Sequence, residues 1–233
     1  VRNAALPLVR TLLKNGVADV VELPLSYSDL SEVLQQVLSS MTKDQKAETS
    51  PAKVISVIKS IGGVGASMIA TQAASRYAEM HPTDKAGTCL FDLDLQFGSI
   101  ASYLGVNQPL NLSDLLDAGS RIDGDLLQSV ASHLPTGLKV IPAPADIMPM
   151  EAVNAEQIYR IIDIASREFD TIFIDLPGNW TNWSVSLVAR SDIVLLVVEL
   201  TIASLRQAKR QIALLESQGI SGDHVQVVVN RVE

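Results

Sequence analysis

"KVISVIKSIGGVGAS", residues 53–67, is the stretch that decides the fold, because an apolar run leads directly into three glycines and a serine. The apolar run is typical of a buried strand, and Ser67 stands where a helix would begin. Glycines between a strand and a helix let several backbone N–H groups converge on one anion, and the helix N-terminus adds positive potential. A tight turn without a ligand is the alternative when this loop is considered alone. As a binding loop it would comprise Gly62, Gly63, Val64, Gly65, Ala66, Ser67 and Met68.

After the loop, apolar strands alternate with helical segments to the end of the chain. Strands that are apolar along nearly their whole length predict an α/β fold, with a mostly parallel, twisted sheet and helices on both faces. In such a sheet ligands bind at the carboxyl ends of the strands. The strands are predicted within the stretches 53–59, 87–94, 137–143, 169–178, 191–200 and 224–231.

Acidic side chains stand at the carboxyl ends of two predicted strands. The stretch LFDLDLQFGS, residues 90–99, places Asp92 and Asp94 after one strand, and FDTIFIDLPG, residues 169–178, places Asp175 at the end of another. Solvated loop carboxylates, or a simple turn after Asp175, are the alternatives to a functional role. The order of a glycine loop, an acidic pair and an acidic strand end along one parallel sheet favours a site for phosphate and Mg²⁺.

The three motifs together resemble those of the ParA/MinD family of ATPases, whose loop is written K-G-G-x-G-K-[ST]. The resemblance covers residues 53–233 and implies a P-loop NTPase fold that binds ATP or ADP with Mg²⁺. When the glycines are aligned, Ile61 and Ala66 stand at the positions of the two lysines of that family. Lys59 lies two residues before the first of these positions, at the end of the strand, and it is not expected to compensate for the missing lysines.

The resemblance also implies a role for each polar residue of the motifs. Ser67 would bind Mg²⁺ directly, Asp175 would hold it through water, and Asp92 would support the water shell of the metal. Asp94 would position the water that attacks the terminal phosphate. These roles make Asp94 the candidate catalytic residue, and they make the other three the candidate metal site.

Two residues outside these motifs, Asn230 and Arg231, complete the candidate site, and two tryptophans near Asp175 are smaller signals. Asn230 and Arg231 end the last predicted strand, where similar members of the family use an asparagine to recognise adenine. Trp180 and Trp183 follow Asp175 closely. In the resembled family this segment responds to the γ-phosphate and faces a second subunit, whereas packing under a loop is the alternative.

The absence of both loop lysines is expected to reduce catalysis more strongly than nucleotide binding. One charge-assisted contact to phosphate is worth about 1.5–3 kcal/mol, so a loop of backbone amides is expected to bind more weakly but still to bind. Hydrolysis depends more strongly on positive charge, because negative charge develops on the transferring group in the transition state. We therefore expect a degenerate ATPase that binds nucleotide and hydrolyses it slowly or not at all.

Composition restricts the partners and the cellular compartment. The net charge of −8 and the pI of about 4.9 argue against binding nucleic acid through a basic face. The single cysteine, Cys89, cannot form an internal disulfide, which suits a reducing compartment. The sequence shows neither a signal peptide nor a membrane span. We expect a cytoplasmic protein.

The segment before the loop is predicted to be a separate unit. Residues 1–40 show a helix, a strand and a helix, and they resemble the end of a receiver-like domain. Leu23 precedes Pro24 where a working receiver has a lysine, so phosphorylation signalling is not expected. Residues 41–52 are polar and are predicted to be a linker. Because the chain begins at Val1 and ends in a strand, we interpret it as a fragment cut at both ends.

The loop sequence GGVGAS, together with the receiver-like segment, resembles the CpaE/TadZ pilus-assembly branch of the family. This resemblance implies a homodimer that sandwiches ATP and recruits proteins of type IVb (Tad/Flp) pilus assembly and secretion. Recruitment to the cell pole or to pilus machinery at the inner membrane would follow. An active ATPase that positions DNA or the division machinery is one alternative, and an interaction module that binds no nucleotide is another.

Overall fold

The computed structural model of the protein describes residues 52–82, 87–220 and 222–232. The receiver-like segment at residues 1–40 and all of the predicted linker except Ala52 lie outside the described residues. No helix in the described part of the chain is long and apolar enough to cross a membrane.

A seven-stranded sheet in the order β3-β4-β2-β5-β1-β6-β7 forms the centre of the described region. All neighbouring strands run parallel except β3, which pairs antiparallel with β4 at one edge. The two-residue strand β3 was not predicted, because so short a segment has no recognisable alternation. The strands are β1 (Lys53–Lys59), β2 (Thr88–Asp92), β3 (Ser132–His133), β4 (Leu138–Ile141), β5 (Thr171–Asp175), β6 (Ile193–Glu199) and β7 (Val225–Asn230).

Helices follow or precede most strands and cover the sheet. The longer helices have apolar residues at helical spacing, and most of them begin after a residue that caps the N-terminus. The helix before β5, for example, starts after Asn154, which forms a capping box with Gln157, and it buries Ile158 and Ile161. The helices are α1 (Ala66–Met80), α2 (Ile100–Leu104), α3 (Leu112–Ala118), α4 (Gly124–Val130), α5 (Ala155–Glu168), α6 (Asn182–Ala189) and α7 (Ile202–Ser217), with short 3₁₀ turns at Gly119–Arg121, Met150–Ala152 and Gly222–His224.

Two apolar clusters pack against opposite faces of the sheet. Along β1, Val54 and Ile58 belong to one cluster, and Ile55 and Val57 belong to the other. Strands β2 and β5 are buried along their whole length, as expected for strands covered on both faces. The predicted α/β fold with a mostly parallel sheet is therefore confirmed.

Candidate functional site

A cavity of about 530 Å³ opens at the carboxyl ends of β1 and β7. This is the edge of a parallel sheet where ligands are expected. Most of the loop predicted to bind phosphate lines this cavity, together with both residues at the end of the last strand. The lining residues are Lys59, Gly63, Val64, Gly65, Ala66, Ser67, Met68, Tyr103, Asn230 and Arg231.

The loop between β1 and α1 has the backbone shape that its glycines allow. Gly63 and Gly65 have φ angles of 83° and 87°, in the left-handed region that favours glycine. No heavy atom would lie within 4 Å of a Cβ atom added at Gly62 or Gly63, so the loop is not covered at these two positions. No side chain of the described residues caps the N-terminus of α1. The first backbone N–H groups of α1 are thus available to an anion.

Strand β7 holds the loop from the opposite side of the cavity. The Asn230 side-chain amide donates a hydrogen bond of 2.8 Å to the backbone carbonyl of Val64. A Cβ atom added to Gly65 would lie 2.5 Å from Asn230 Nδ2, so the loop and Asn230 are in close contact. The assigned role in adenine recognition stays a prediction, and the observed contact gives Asn230 a role in fixing the loop.

Helix α7 fixes the beginning of the loop through two buried polar side chains that the sequence did not indicate. Ser204 Oγ lies 2.8 Å from Ser60 Oγ, and it also accepts a hydrogen bond from the backbone N–H of Glu199. Gln211 Nε2 donates to the carbonyls of Lys59 and Ser60, at 3.0 and 3.3 Å. Both side chains lie on the buried face of a helix that is far from the loop in sequence, where a polar residue is easily overlooked.

Asp92 and Asp175 are direct neighbours across the pair of strands β2 and β5. Asp92 accepts hydrogen bonds from the backbone N–H groups of Asp94 and Ile100, at 3.2 and 3.1 Å. Burial and then the nearby charge of Asp175 raise the pKa of Asp92 from 3.8 to about 7, although its two backbone hydrogen bonds lower it. Asp92 is therefore a buried carboxyl group that is costly to ionise without a nearby cation.

Asp175 is buried, and neither of its carboxylate oxygens has a hydrogen-bond partner among the described residues. Burial raises its pKa from 3.8 to about 6, while the Lys59 charge and then the Ser67 hydroxyl lower it. The Ser67 hydroxyl is thus near Asp175 without forming a hydrogen bond of ordinary geometry. Buried polar groups without partners are rare in folded proteins, so the two oxygens of Asp175 are candidate ligands for a cation.

Lys59 extends from the end of β1 toward these carboxylates. Its Nζ lies 3.0 Å from Asp94 Oδ2, and the two side chains are only 14% and 10% exposed. The other oxygen of Asp94 accepts a hydrogen bond of 3.2 Å from the backbone N–H of Phe97. Both oxygens of the predicted water-positioning carboxylate are therefore engaged, and a cation that the sequence left unassigned stands inside the site.

The residues present fit a magnesium ion held together with phosphate. Ser67 and Asp175 offer a hydroxyl and an unpartnered carboxylate close to each other, and oxygen atoms are the ligands that Mg²⁺ prefers. No group of three or more His, Cys, Asp or Glu side chains in the described ranges could hold a metal ion without other ligands. The arrangement therefore suits an ion that takes its remaining ligands from phosphate and water.

The raised carboxyl pKa values predict that the nucleotide-free protein loses stability as the pH increases from about 4 to about 7. In this window the folded protein holds protons on Asp92 and Asp175 that the unfolded chain has released, so stability falls with rising pH. Urea unfolding at pH 5 and pH 8 measures the difference. We expect a higher free energy of unfolding at pH 5, and a smaller difference in an Asp92→Asn variant. Equal stability at both pH values would contradict the burial of these charges.

Other predicted residues lie at the edges of the site or outside it. Arg231, whose side chain is largely exposed, forms an ion pair of 3.4 Å with the partly buried Glu199. Trp183 is buried in the core, which favours packing, whereas Trp180 is only partly buried against the same core. Cys89 is fully buried, and burial raises the pKa of its thiol, in agreement with an inert core residue.

A larger groove of about 820 Å³ runs along α5, but it contains none of the predicted site residues. Its wall carries charges of both signs, including Arg160 and Glu156. Arg160 already donates a hydrogen bond to the carbonyl of Ser120. The cavity at the glycine loop, which combines open backbone amides with an unpartnered carboxylate, is the stronger candidate.

Comparison with known proteins shows which sequences the chain is similar to. No family model matches the chain. The chain is 27% identical over 182 residues to the septum site-determining protein MinD of Synechocystis sp., a match that covers 77% of this chain and 65% of that protein. It is 25% identical over 179 residues to MinD of Thermotoga maritima, with 76% and 64% covered. The chain thus spans slightly less than two thirds of the length of these relatives.

Solved structures share the same architecture. A ParA family ATPase from Chlorobium tepidum superposes with a TM-score of 0.69 at 26% identity, over 77% of this chain and 74% of that one. MinD of Pyrococcus horikoshii, solved in complex with Mg-ADP, superposes with a TM-score of 0.63 over 77% of this chain and 70% of that one, and at 18% identity it supports the fold alone.

A glycine loop between a central parallel strand and a helix, beside an acidic end of the neighbouring strand, defines the fold of a P-loop NTPase. Within that class, the relatives and the solved structures relate this chain to the ParA/MinD-type P-loop ATPases.

Proposed function

We propose that the protein binds ATP or ADP with Mg²⁺ at the glycine loop and hydrolyses ATP slowly or not at all. The observation that carries this proposal is an open backbone loop next to a buried carboxylate without a partner, Asp175. The loop retains its amides and Ser67, although Ile61 and Ala66 stand where the family has lysines. These features support binding, whereas the absence of lysines at positions 61 and 66 supports slow hydrolysis.

Each part of the site has a separate task in this proposal. The amides of the loop and of the first turn of α1 bind the phosphates. Ser67 and Asp175 hold Mg²⁺, which neutralises phosphate charge when it is bound. Asp92 keeps the metal side of the cavity negative. Asp94 accepts one hydrogen bond on each oxygen, from Lys59 and from the N–H of Phe97, and the second lone pair of each oxygen is left to orient a water molecule.

Calorimetric titration of the full-length protein with ATP and ADP, with and without Mg²⁺, tests the binding. We expect binding of both nucleotides that strengthens when Mg²⁺ is present. An assay of phosphate release under saturating ATP tests the second part of the proposal. No heat with either nucleotide would exclude the binding function, and rapid turnover would exclude the degenerate ATPase.

We also propose that nucleotide binding is coupled to formation of a homodimer through the carboxyl-end face of the sheet. Phe97 and Ile147 are 75% and 72% exposed there, and their loops are joined by a hydrogen bond from the N–H of Met148 to the carbonyl of Leu95. Large exposed apolar side chains close together are typical of protein interfaces. This face lies beside the nucleotide cavity, which would couple the two events.

Phe97→Ser is expected to weaken the ATP-dependent dimer roughly tenfold, because an exposed aromatic anchor is lost from the interface. Met80→Ser, at the far end of α1, removes an apolar side chain that is 60% exposed and serves as the control. Sedimentation velocity across a range of protein concentrations measures the dimer. Equal dimerisation of the two variants would place the interface elsewhere.

For the biological role, we propose a scaffold or localisation factor in type IVb pilus assembly. The support is the GGVGAS loop sequence and the likeness of residues 1–40 to a receiver-like segment. Deletion of the gene followed by electron microscopy of surface pili tests this role. Normal pili on the deletion strain would contradict it.

An active ATPase that positions the division machinery is the second candidate, and the similarity to MinD proteins favours it. The two candidates predict different phenotypes for the same deletion strain. Displaced division septa with normal pili would support the second candidate. Rapid ATP turnover by the purified protein would support it as well.

A further inference from the structure

We propose that Lys59 supplies the ammonium contact to the terminal phosphates of a bound nucleoside di- or triphosphate, in place of the lysines absent at residues 61 and 66. This inference rests on the proposed nucleotide binding. The end of strand β1 would then provide the positive charge that the glycine loop itself lacks.

The position of Lys59 is the first support. Two cations line the cavity in the described part of the chain, Lys59 and Arg231. Arg231 is 61% exposed and points to Glu199 at the rim, whereas Lys59 is largely buried beside the loop. Of these two cations, Lys59 is the one that is already desolvated and close to the loop.

The path of the side chain is the second support. The Lys59 side chain packs against the turn after β5, since a Cβ atom added at Gly178 would lie 3.6 Å from Lys59 Cδ. Its backbone carbonyl is held by Gln211. The side chain therefore reaches from β1 across the end of β5 to Asp94 on the far side, and its Nζ lies above the acidic end of the sheet.

The charges around Nζ are the third support. Three carboxylates, Asp92, Asp94 and Asp175, share this end of the sheet, and the Lys59 charge acts on two of them. A polyphosphate that enters the cavity adds further negative charge, which Mg²⁺ alone offsets only in part. An ammonium group has three N–H donors, so Lys59 can contact a phosphate oxygen as well as Asp94, or exchange one for the other.

Comparing Lys59→Met with Lys53→Met tests the contact in the full-length protein. Lys53 is an exposed lysine at the other end of the same strand and serves as the matched control. We expect Lys59→Met to weaken MgADP binding roughly 10- to 100-fold, with little change for AMP, which lacks the terminal phosphates. Lys53→Met should bind both ligands like the wild type.

Two further variants separate a direct contact from a general effect of charge. Asp94→Asn releases Lys59 from its ion pair, and we expect it to bind MgADP more tightly than the wild type. The double variant Lys59→Met/Asp94→Asn has the same net charge as the wild type but lacks the ammonium. If Lys59 contacts the phosphates, the double variant stays weak. The double variant also leaves no unpaired carboxylate at position 94, so it remains informative if Lys59→Met alone fails to fold.

The outcomes distinguish this inference from the proposed function. Wild-type protein that binds no nucleotide overturns both. Wild-type binding that Lys59→Met leaves unchanged overturns the role of Lys59 alone. Recovery of wild-type affinity in the double variant also overturns it, because charge balance rather than contact would then explain the weakening. Weak MgADP binding by the single and double variants, with unchanged AMP binding, supports the direct contact.

Discussion

Asp175→Asn is expected to stabilise the nucleotide-free protein at pH 8 and to abolish the magnesium dependence of nucleotide binding. At this pH the wild-type carboxylate is ionised although it is buried and its pKa is raised to about 6. Asparagine has nearly the same shape, carries no charge and ends the repulsion with Asp92. The gain is on the order of 1–3 kcal/mol, and each kcal/mol raises the melting temperature of a domain of this size by roughly 2–4 °C.

The same replacement removes the negative charge of the carboxylate that would hold the metal ion. We expect MgADP to bind no more tightly than ADP alone in this variant, as measured by calorimetry. Asp163→Asn is the control, since Asp163 forms an exposed ion pair with Arg190, and its removal should leave both melting and binding unchanged. A lower melting temperature for Asp175→Asn at pH 8, or retained magnesium dependence, would mean that Asp175 is structural. Opposite changes in stability and binding are the signature of a group kept for function.

Gly65→Ala is expected to reduce nucleotide affinity by roughly 100-fold or more and to destabilise the protein by about 1–3 kcal/mol. The φ angle of 87° is unfavourable for alanine, and the new methyl group would lie 2.5 Å from the amide nitrogen of Asn230. Relief of this clash moves either the loop or the Asn230 side chain, which then loses its hydrogen bond to the Val64 carbonyl. In both cases the backbone N–H groups proposed to bind the phosphates are no longer held in place.

Gly137→Ala is the matched control for Gly65→Ala. Gly137 has a φ angle of 84° in the turn between β3 and β4, but no atom lies within 4 Å of its added side chain. Alanine at position 137 therefore has the same unfavourable backbone conformation as alanine at position 65. Its methyl group makes no close contact, and it lies away from the cavity. We expect it to lower the melting temperature slightly and to leave MgADP affinity unchanged. If calorimetry gives the same affinity for both variants, the contact between the loop and Asn230 has no part in binding.

The sequence predicted the fold because its signals were local. An apolar strand running into glycines, followed by alternating strands and helices, was sufficient for the parallel sheet, which is confirmed. The acidic pair and the acidic strand end could also be recognised, because each lies within a few residues of an apolar run. Their proposed roles in metal binding and catalysis stay predictions.

Residues that act across the sheet could not be found in this way. Ser204 and Gln211 lie on α7, more than 140 residues after the loop that they hold, and nothing in their own helix distinguishes them from ordinary polar positions. The contact between Asn230 and Val64 joins the last strand to the first loop over a similar separation. Their effect depends on the strand order, which places β6 and β7 beside β1.

By itself, the sequence determined the α/β class and the glycine loop, since residue types and spacing alone carry this information. The resemblance to the ParA/MinD motif implied that Ile61 and Ala66 stand at lysine positions. The tertiary structure decided which charges meet. It placed β5 between β1 and β2, so that Asp175 faces Asp92 and Lys59 spans the end of β5 to reach Asp94. In the sequence, Lys59 lies outside the loop motif. In the folded sheet its ammonium lies inside the site, because a side chain at the end of a central strand reaches across its neighbour.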